Sequence, residues 1–269
     1  MATAADYSDV LGPEYEQAQT PADPDCPPAW LPESPLALQL LANADITAID
    51  LAPDGSNYTF VAQLDGGPAG KWLGIYKPRR GEIPLRDFPD GTLYKREYAA
   101  YVVSEALGWG FVPPTVLREG QHGVGTMQLF IASVRTENYF SFREQRVDDL
   151  QRMALFDALA NNADRKGSHC LLGLDGRMWG IDHGLTFHHV PKLRTVIWDY
   201  QGDPIPQPLL ADLDRLLIDL NSKSDTHQAL ADLLHPVELE ALAQRCRVLL
   251  SERIYPLPGP YRSVPWPPL

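Results

Sequence analysis

The sequence is poor in cysteine, in basic residues and in long apolar runs. Its three cysteines in 269 residues, Cys26, Cys170 and Cys246, stand far apart and are odd in number. They form neither a disulfide framework nor a zinc knuckle, which points to a reducing, cytoplasmic setting. Lysine and arginine total 23 against 35 aspartates and glutamates, a net charge of −12. Nucleic acid and anionic membrane surfaces both call for a basic face, so neither is expected as a partner. No stretch approaches the roughly 18–20 apolar residues of a spanning helix. No basic-then-apolar leader opens the chain, and no internal repeat runs through it. The histidines lack an HExxH spacing, which weighs against a metal hydrolase.

What is present suffices for a core: 44% of residues are hydrophobic, and the length fits one large domain or two lobes. Residues 1–33, rich in Ala, Asp, Pro and Glu, read as a disordered segment. Ser34 and Pro35 are expected to open a short helix running to Leu41. Ile46–Leu51, Tyr58–Leu64 and Lys71–Lys77 follow as strands of an antiparallel meander, separated by Gly-containing turns. Leu93–Leu107 reads as a helix, with Tyr94, Tyr98, Tyr101, Val102 and Leu107 near helical spacing and Gly108 as its stop. Strands are expected at Thr115–Arg118 and Thr126–Ile131. Thereafter the pattern turns helical: Val147–Leu159, Pro208–Asn221, Ser224–Leu234 and Pro236–Ile254. The last carries a stripe of Leu239, Leu242, Cys246, Leu249 and Leu250. A Pro-rich tail, 256–269, reads as extended. The class is α+β, with a β-rich N-lobe over 34–132 and a helical C-lobe over 133–255.

The chemistry concentrates in residues 154–189. A helix ends in Asn161-Asn162-Ala163-Asp164-Arg165-Lys166. A hairpin with its turn at Asp175-Gly176 then leads to a second acidic turn, Asp182-His183-Gly184. Two aspartates, each at the end of a regular element, can converge on one point. Asp164 can accept the proton of an attacking hydroxyl, although Asp-Arg-Lys also suits a solvated helix C-terminus. Asp182 ends a strand as metal carboxylates do, although Asp-X-Gly also makes a plain turn. His169, five positions after Asp164, stands near enough to share a metal. Upstream, Lys77 ends a strand where its ammonium could hold phosphates, and Glu97 lies early in the following helix where it could hold Lys77. Gly55-Ser56-Asn57-Tyr58-Thr59-Phe60 is either a small-residue turn whose amides approach phosphates or an ordinary hairpin turn. Asn161 and Asn162 are open between positioning the loop and capping the helix. His183, His188 and His189 crowd Asp182 and keep a hydrolase alternative in view.

These pieces resemble, in order, the phosphatidylinositol 3-/4-kinase-like branch of the protein-kinase-like superfamily. They are most similar to the type II phosphatidylinositol 4-kinase pattern. GSNYTF matches the phosphate loop, GIYKP the lysine strand and KREYAAYVVSEAL the Glu-bearing helix. NNADRKGSH matches the catalytic loop and GIDHGLTF the metal-binding turn. The match covers about residues 45–190, with nothing recognised beyond. The resemblance implies a two-lobed protein-kinase-like fold binding ATP with Mg²⁺ or Mn²⁺. It places Ser56, Asn57 and Tyr58 in the phosphate loop, Lys77 on the phosphates and Glu97 beside it. It makes Asp164 the catalytic base and Asp182 a metal ligand. It makes Gln128, Leu129, Phe130 and Ile131 a hinge whose backbone meets adenine. Two positions depart from it. His169 stands where the family usually has Asn: it ligates the metal, or the loop register differs, or catalysis is impaired. Lys166 stands where the lipid kinases have His, and a cation there could neutralise the γ-phosphate. The expected activity is ATP-dependent phosphate transfer to a hydroxyl of a soluble small molecule, a lipid headgroup or a protein Ser/Thr. The acidic composition favours a soluble acceptor. A nucleotide-binding module without catalysis, an AMP transferase and a metal hydrolase are the alternatives.

Overall fold

A computed structural model describes residues 32–52, 57–134, 136–260 and 262–269. The expected disordered segment 1–33 lies outside these residues except for its last two. Two compact units divide the chain: one holds the described residues up to Tyr98, with 113–135 and 173–175; the other holds 99–112, 136–172 and 176–269. The division runs through the helix Leu93–Leu107.

The first unit opens with α1 (Ala37–Asn43). The Ser34 hydroxyl accepts the Leu36 amide (3.3 Å), the capping bond that Ser34-Pro35 suggests, although the regular helix starts only at Ala37 and runs two residues past Leu41. Five strands follow in sequence: β1 (Asp45–Leu51), β2 (Phe60–Asp65), β3 (Lys71–Pro78), β4 (Thr115–Gly120) and β5 (Gly123–Leu129). They form one antiparallel sheet in the order β1-β2-β3-β5-β4. The alternation read from sequence is what the sheet uses. Ala62, Leu64, Trp72, Tyr76, Met127 and Leu129 lie on one face and are buried with Leu41 and Ala44 of the α1 segment. Arg118 fastens that segment to the sheet, its guanidinium donating to the Leu41 and Ala44 carbonyls (both 3.0 Å).

Gly125 is where β3 and β5 come too close for a side chain. A Cβ there would lie 2.4 Å from the Lys77 carbonyl oxygen and 2.6 Å from Pro78 Cα. Both are backbone atoms and cannot rotate away. Gly125→Ala is therefore expected to cost at least the upper part of the ~1–3 kcal/mol typical of overpacking. A lowered denaturant midpoint would register it; an unchanged midpoint would mean that β3 is free to move.

The helix α2 (Leu93–Leu107) has the bounds the sequence suggests; of the expected stripe Tyr94 and Leu107 are buried, but the buried face is wider and centred on small residues. Tyr98, Tyr101 and Val102 are half-buried, while Ala99, Ala100, Val103 and Ser104 are fully buried. Small side chains permit close approach, a signal that apolar periodicity underweights.

The second unit adds a one-turn helix, α3 (Tyr139–Phe142), which the sequence reading missed. Asn138 caps it, its side chain accepting from the Phe140 amide (2.9 Å) while Ser141 returns a bond to the Asn138 amide. Next come α4 (Val147–Ala160), the hairpin β6 (Cys170–Leu172) and β7 (Met178–Gly180), and α5 (Gln207–Asn221), α6 (Asp225–Leu233) and α7 (Pro236–Glu252). Leu150, Met153, Phe156 and Leu159 of α4 share a core with Leu213 and Leu216 of α5 and Leu242, Cys246 and Leu249 of α7. Cys170 and Cys246 are free, buried thiols, and Cys26 lies outside the described residues. No described helix is long and apolar enough to cross a membrane.

Candidate functional site

In the first unit, β3 and α2 bring two of the expected residues together. Strand alternation buries Tyr76 within the sheet and leaves Lys77 partly open. Its ammonium lies 2.5 Å from Glu97 Oε1, with side-chain exposures of 18% and 4%. A carboxylate this buried needs a cation, so Glu97 fixes the Lys77 side chain in one place. Ser56 falls outside the described residues. Asn57 Oδ1 accepts from the Ile83 amide (2.8 Å), and the Tyr58 amide donates to the Gly81 carbonyl (2.9 Å). Both tie residues 57 and 58 to the loop after β3. Gln128 is buried, its amide donating to the Thr115 hydroxyl (2.9 Å). The Leu129 and Phe130 amides donate to Pro114 and Leu73, and Ile131 follows, half-buried.

In the second unit, α4 ends on Asn161 in the left-handed conformation (φ 53°). The two asparagines do more than cap. Asn161 donates to the His188 and Val190 carbonyls (both 2.8 Å) and accepts from the Lys192 amide (2.7 Å). Asn162 donates to Asp157 (2.9 Å) and accepts from the Asp164 amide (3.0 Å), which aims Asp164. Lys166 Nζ lies 3.4 Å from Asp164 Oδ2. The Asp164 carboxyl is pushed above the ordinary carboxylate range, first by burial; Lys166 opposes this and Asp182 adds to it. The two aspartates therefore feel one another, as two carboxylates sharing a cation's charge would.

Asp182 follows β7 with φ 61°, a left-handed conformation uncommon for a non-glycine residue and found at functional turns. Its Oδ2 lies 3.3 Å from His169 Nε2. His169 Nδ1 in turn accepts from the Lys166 amide (3.3 Å). A nitrogen that accepts a backbone N–H carries no proton itself. The neutral ring therefore holds its hydrogen on Nε2, directed at Asp182.

One residue at the centre escaped the sequence reading. Arg165 is fully buried, and its guanidinium lies against the equally buried Asp157 (Nη2–Oδ1 3.0 Å). Burial, the largest influence, lowers its pKa, but Asp157, Cys170 and Asp182 together more than reverse this. The same guanidinium donates to the Ile181 carbonyl (2.9 Å) beside Asp182, contacts His183 Nε2 (2.7 Å) and reaches the His169 carbonyl (3.4 Å). Thr195 completes the Asp157 shell with a hydroxyl bond (3.1 Å). One side chain thus braces both acidic loops. The available signal was Asp157 itself, a carboxylate within the otherwise apolar run ALFDALA.

Three histidines near Asp182 in sequence also pack against rings. His183 is buried, edge-on to Phe156 and Phe111 (5.5 and 6.4 Å), and His188 stacks on His189 (4.5 Å). Among the described residues no three His, Cys, Asp or Glu side chains converge as a metal cage. Mg²⁺ is commonly carried by one or two carboxylates together with substrate phosphates, and Asp182 beside Asp164 fits that hard-oxygen arrangement.

No protein-family model matches the sequence. Protein Rv2133c of Mycobacterium tuberculosis is 36% identical over 263 residues, covering 85% of this chain and 94% of that protein. The chain belongs to the Rv2133c family. This member of the Rv2133c family is also similar to phosphatidylinositol 4-kinase gamma 3 of Arabidopsis thaliana, 24% identical over 196 residues. That match covers 55% of this chain and 34% of the plant protein. Two solved structures share its fold. Hydra Fam20 with sugar superposes with a TM-score of 0.55 at 15% identity, covering 94% of each chain. The Golgi casein kinase with Mn/ADP bound gives 0.53 at 13%, covering 92% of this chain and 87% of that one. The Rv2133c-family fold is thus protein-kinase-like, with an antiparallel β-rich N-terminal unit and a mostly helical C-terminal unit.

Proposed function

We propose that this protein is an ATP-dependent phosphotransferase whose acceptor is a hydroxyl group, with a soluble acceptor favoured by the net charge of −12. The observation that carries the reading is the Lys77–Glu97 ion pair. A buried carboxylate holding a strand lysine at the edge of a small-residue turn is what cradling phosphates requires. A Golgi casein kinase of the same fold with Mn/ADP bound supports it. Similarity to a plant phosphatidylinositol 4-kinase supports a branch related to lipid kinases.

In this reading the sequence segment 55–60, with Ser56 and Asn57, supplies the phosphate loop that Lys77 completes, the Tyr58 amide excepted because the Gly81 carbonyl holds it. The backbone at Ile131 meets adenine. Asp164 takes the proton of the attacking hydroxyl, and Lys166, 3.4 Å away, offsets charge on the transferred group. Asp182 would hold Mg²⁺ or Mn²⁺, which supplies charge neutralisation for the phosphates when bound. His169 acts here through Asp182 rather than on the metal. Its Nε2 proton faces Asp182, so its part is to hold one carboxylate oxygen and leave the other for the metal.

The test is phosphate transfer from γ-labelled ATP with Mg²⁺ or Mn²⁺, paired with ADP binding by calorimetry. Lys77→Met removes charge-assisted bonds worth about 1.5–3 kcal/mol each, so nucleotide affinity should fall roughly 10–100-fold. Unchanged affinity in Lys77→Met would defeat the assignment. Tight nucleotide binding with no transfer to any acceptor would instead favour the non-catalytic module.

A further inference from the structure

The Pro-rich segment 256–269 reads from its sequence as extended. It is anchored at one point to the loop that carries Asp164 and at another to the segment 195–198 that bridges to that loop. The Ser263 carbonyl accepts from the Thr195 amide and from Trp198 Nε1 (both 3.0 Å). The Pro268 carbonyl accepts from the Gly167 amide (2.8 Å). Between these points Pro265 is buried, and the Arg262 guanidinium lies over the Trp266 ring (5.8 Å). Thr195 is itself part of the loop's support, bridged to Arg165 in parallel and bonded to Asp157.

The contact at Gly167 has a specific chemistry. Gly167 opens the single 3₁₀ turn Gly167–His169, and the first amides of such a turn have no partner within it. Pro267 and Pro268 carry no N–H, so at this point the segment can only accept. Gly167 is also pressed from both sides. A Cβ there would lie 2.7 Å from the Phe140 ring and 3.3 Å from a Leu269 methyl. The turn so held carries Lys166 immediately before it and His169 at its end, the two side chains that face Asp164 and Asp182.

We propose that residues 263–269 are a positioning strap for the catalytic loop. The strap fixes Gly167, and through it the placement of Lys166 and His169, without touching nucleotide. The inference rests on the phosphotransferase reading for its effect on rate, but not for its structural claim. Deleting residues 264–269 should speed exchange of the Gly167 amide by about tenfold or more, since the bond that protects it is gone. In the same variant kcat should fall roughly tenfold while KM for ATP stays within about twofold, the pattern of lost positioning rather than lost binding. A synthetic peptide of residues 262–269 added in trans should restore both. Leu269→Ala, a milder change, should move both readouts in the same direction and serves if the deletion variant does not fold. Unaltered Gly167 exchange in the deletion variant overturns the strap, and so does faster exchange with unchanged kcat. If the wild-type protein transfers no phosphate, the phosphotransferase reading fails while Gly167 exchange still decides the structural claim.

Discussion

Replacing Asp157 by alanine is expected to cost this protein about 3–5 kcal/mol, because it strands a buried guanidinium. That is a large share of the roughly 5–15 kcal/mol that keeps a domain folded. For units of this size it corresponds to a fall in Tm on the order of 10 °C. The reasoning follows from the shell around the pair. Asp157 and Arg165 both have side-chain exposures of 0%, and every oxygen of Asp157 is used, by Arg165, Asn162 and Thr195. Arg165→Met should cost a similar amount by leaving the carboxylate without its cation. The double variant Asp157→Ala/Arg165→Met should be milder than the two losses summed, because neither charge is then left unpaired. Activity separates bracing from simple stability. Arg165 also bonds the Ile181 carbonyl next to Asp182, so the double variant should stay poor in phosphate transfer even where its stability recovers. Denaturant melts of the four proteins give the cycle. A loss below about 1 kcal/mol in Asp157→Ala would mean that water reaches the site and screens it.

The contrast between what the residues announced and what they concealed has a physical basis. Strand alternation and glycine turns fixed the meander, since a sheet with one buried face cannot slip register without exposing its core. The helix Leu93–Leu107 was legible in its bounds because Gly108 stops it, and Tyr94 and Leu107 are buried as its spacing suggests, yet the rest of its buried face was not legible. Ala99, Ala100 and Ser104 contribute little to an apolar pattern but are wholly enclosed. Lys77 and Glu97 could be paired from sequence because one ends a strand and the other starts the next helix. Arg165 could not be placed, because a cation beside Lys166 at a helix end reads as solvated until its partner eight residues earlier is seen to face the same way. The strap was beyond reach for another reason. A Pro-rich stretch has no periodicity, and its carbonyls bond to backbone amides, which sequence does not mark.

Asp164→Asn should abolish most transfer while leaving the fold as stable as before or more so. A positioned general base contributes typically 10²–10⁴-fold to rate, and the amide cannot take the hydroxyl proton, so transfer should drop by about that factor. Nucleotide affinity should hold, because Lys77 and Glu97 belong to the other unit and neither is altered. The stability side follows from the direction of the Asp164 shift. Its folded-state value is raised, chiefly by burial, against the pull of Lys166 and with the help of Asp182. A raised value means that the group's contribution to stability is present below its unfolded pKa and is lost as pH rises through the folded one. Near neutral pH the ionised carboxylate therefore weakens the metal-free fold. Asparagine removes that charge and keeps the backbone amide that Asn162 receives (3.0 Å). Melting curves of the metal-free proteins should show the variant equal to or above wild type near pH 7, with the advantage vanishing in acid. Such an exchange of stability for activity is what a working carboxylate held in a partly buried site produces. Full transfer by Asp164→Asn would remove it from the role of base, and a lower melting point at neutral pH would mean that its carboxylate holds the loop together.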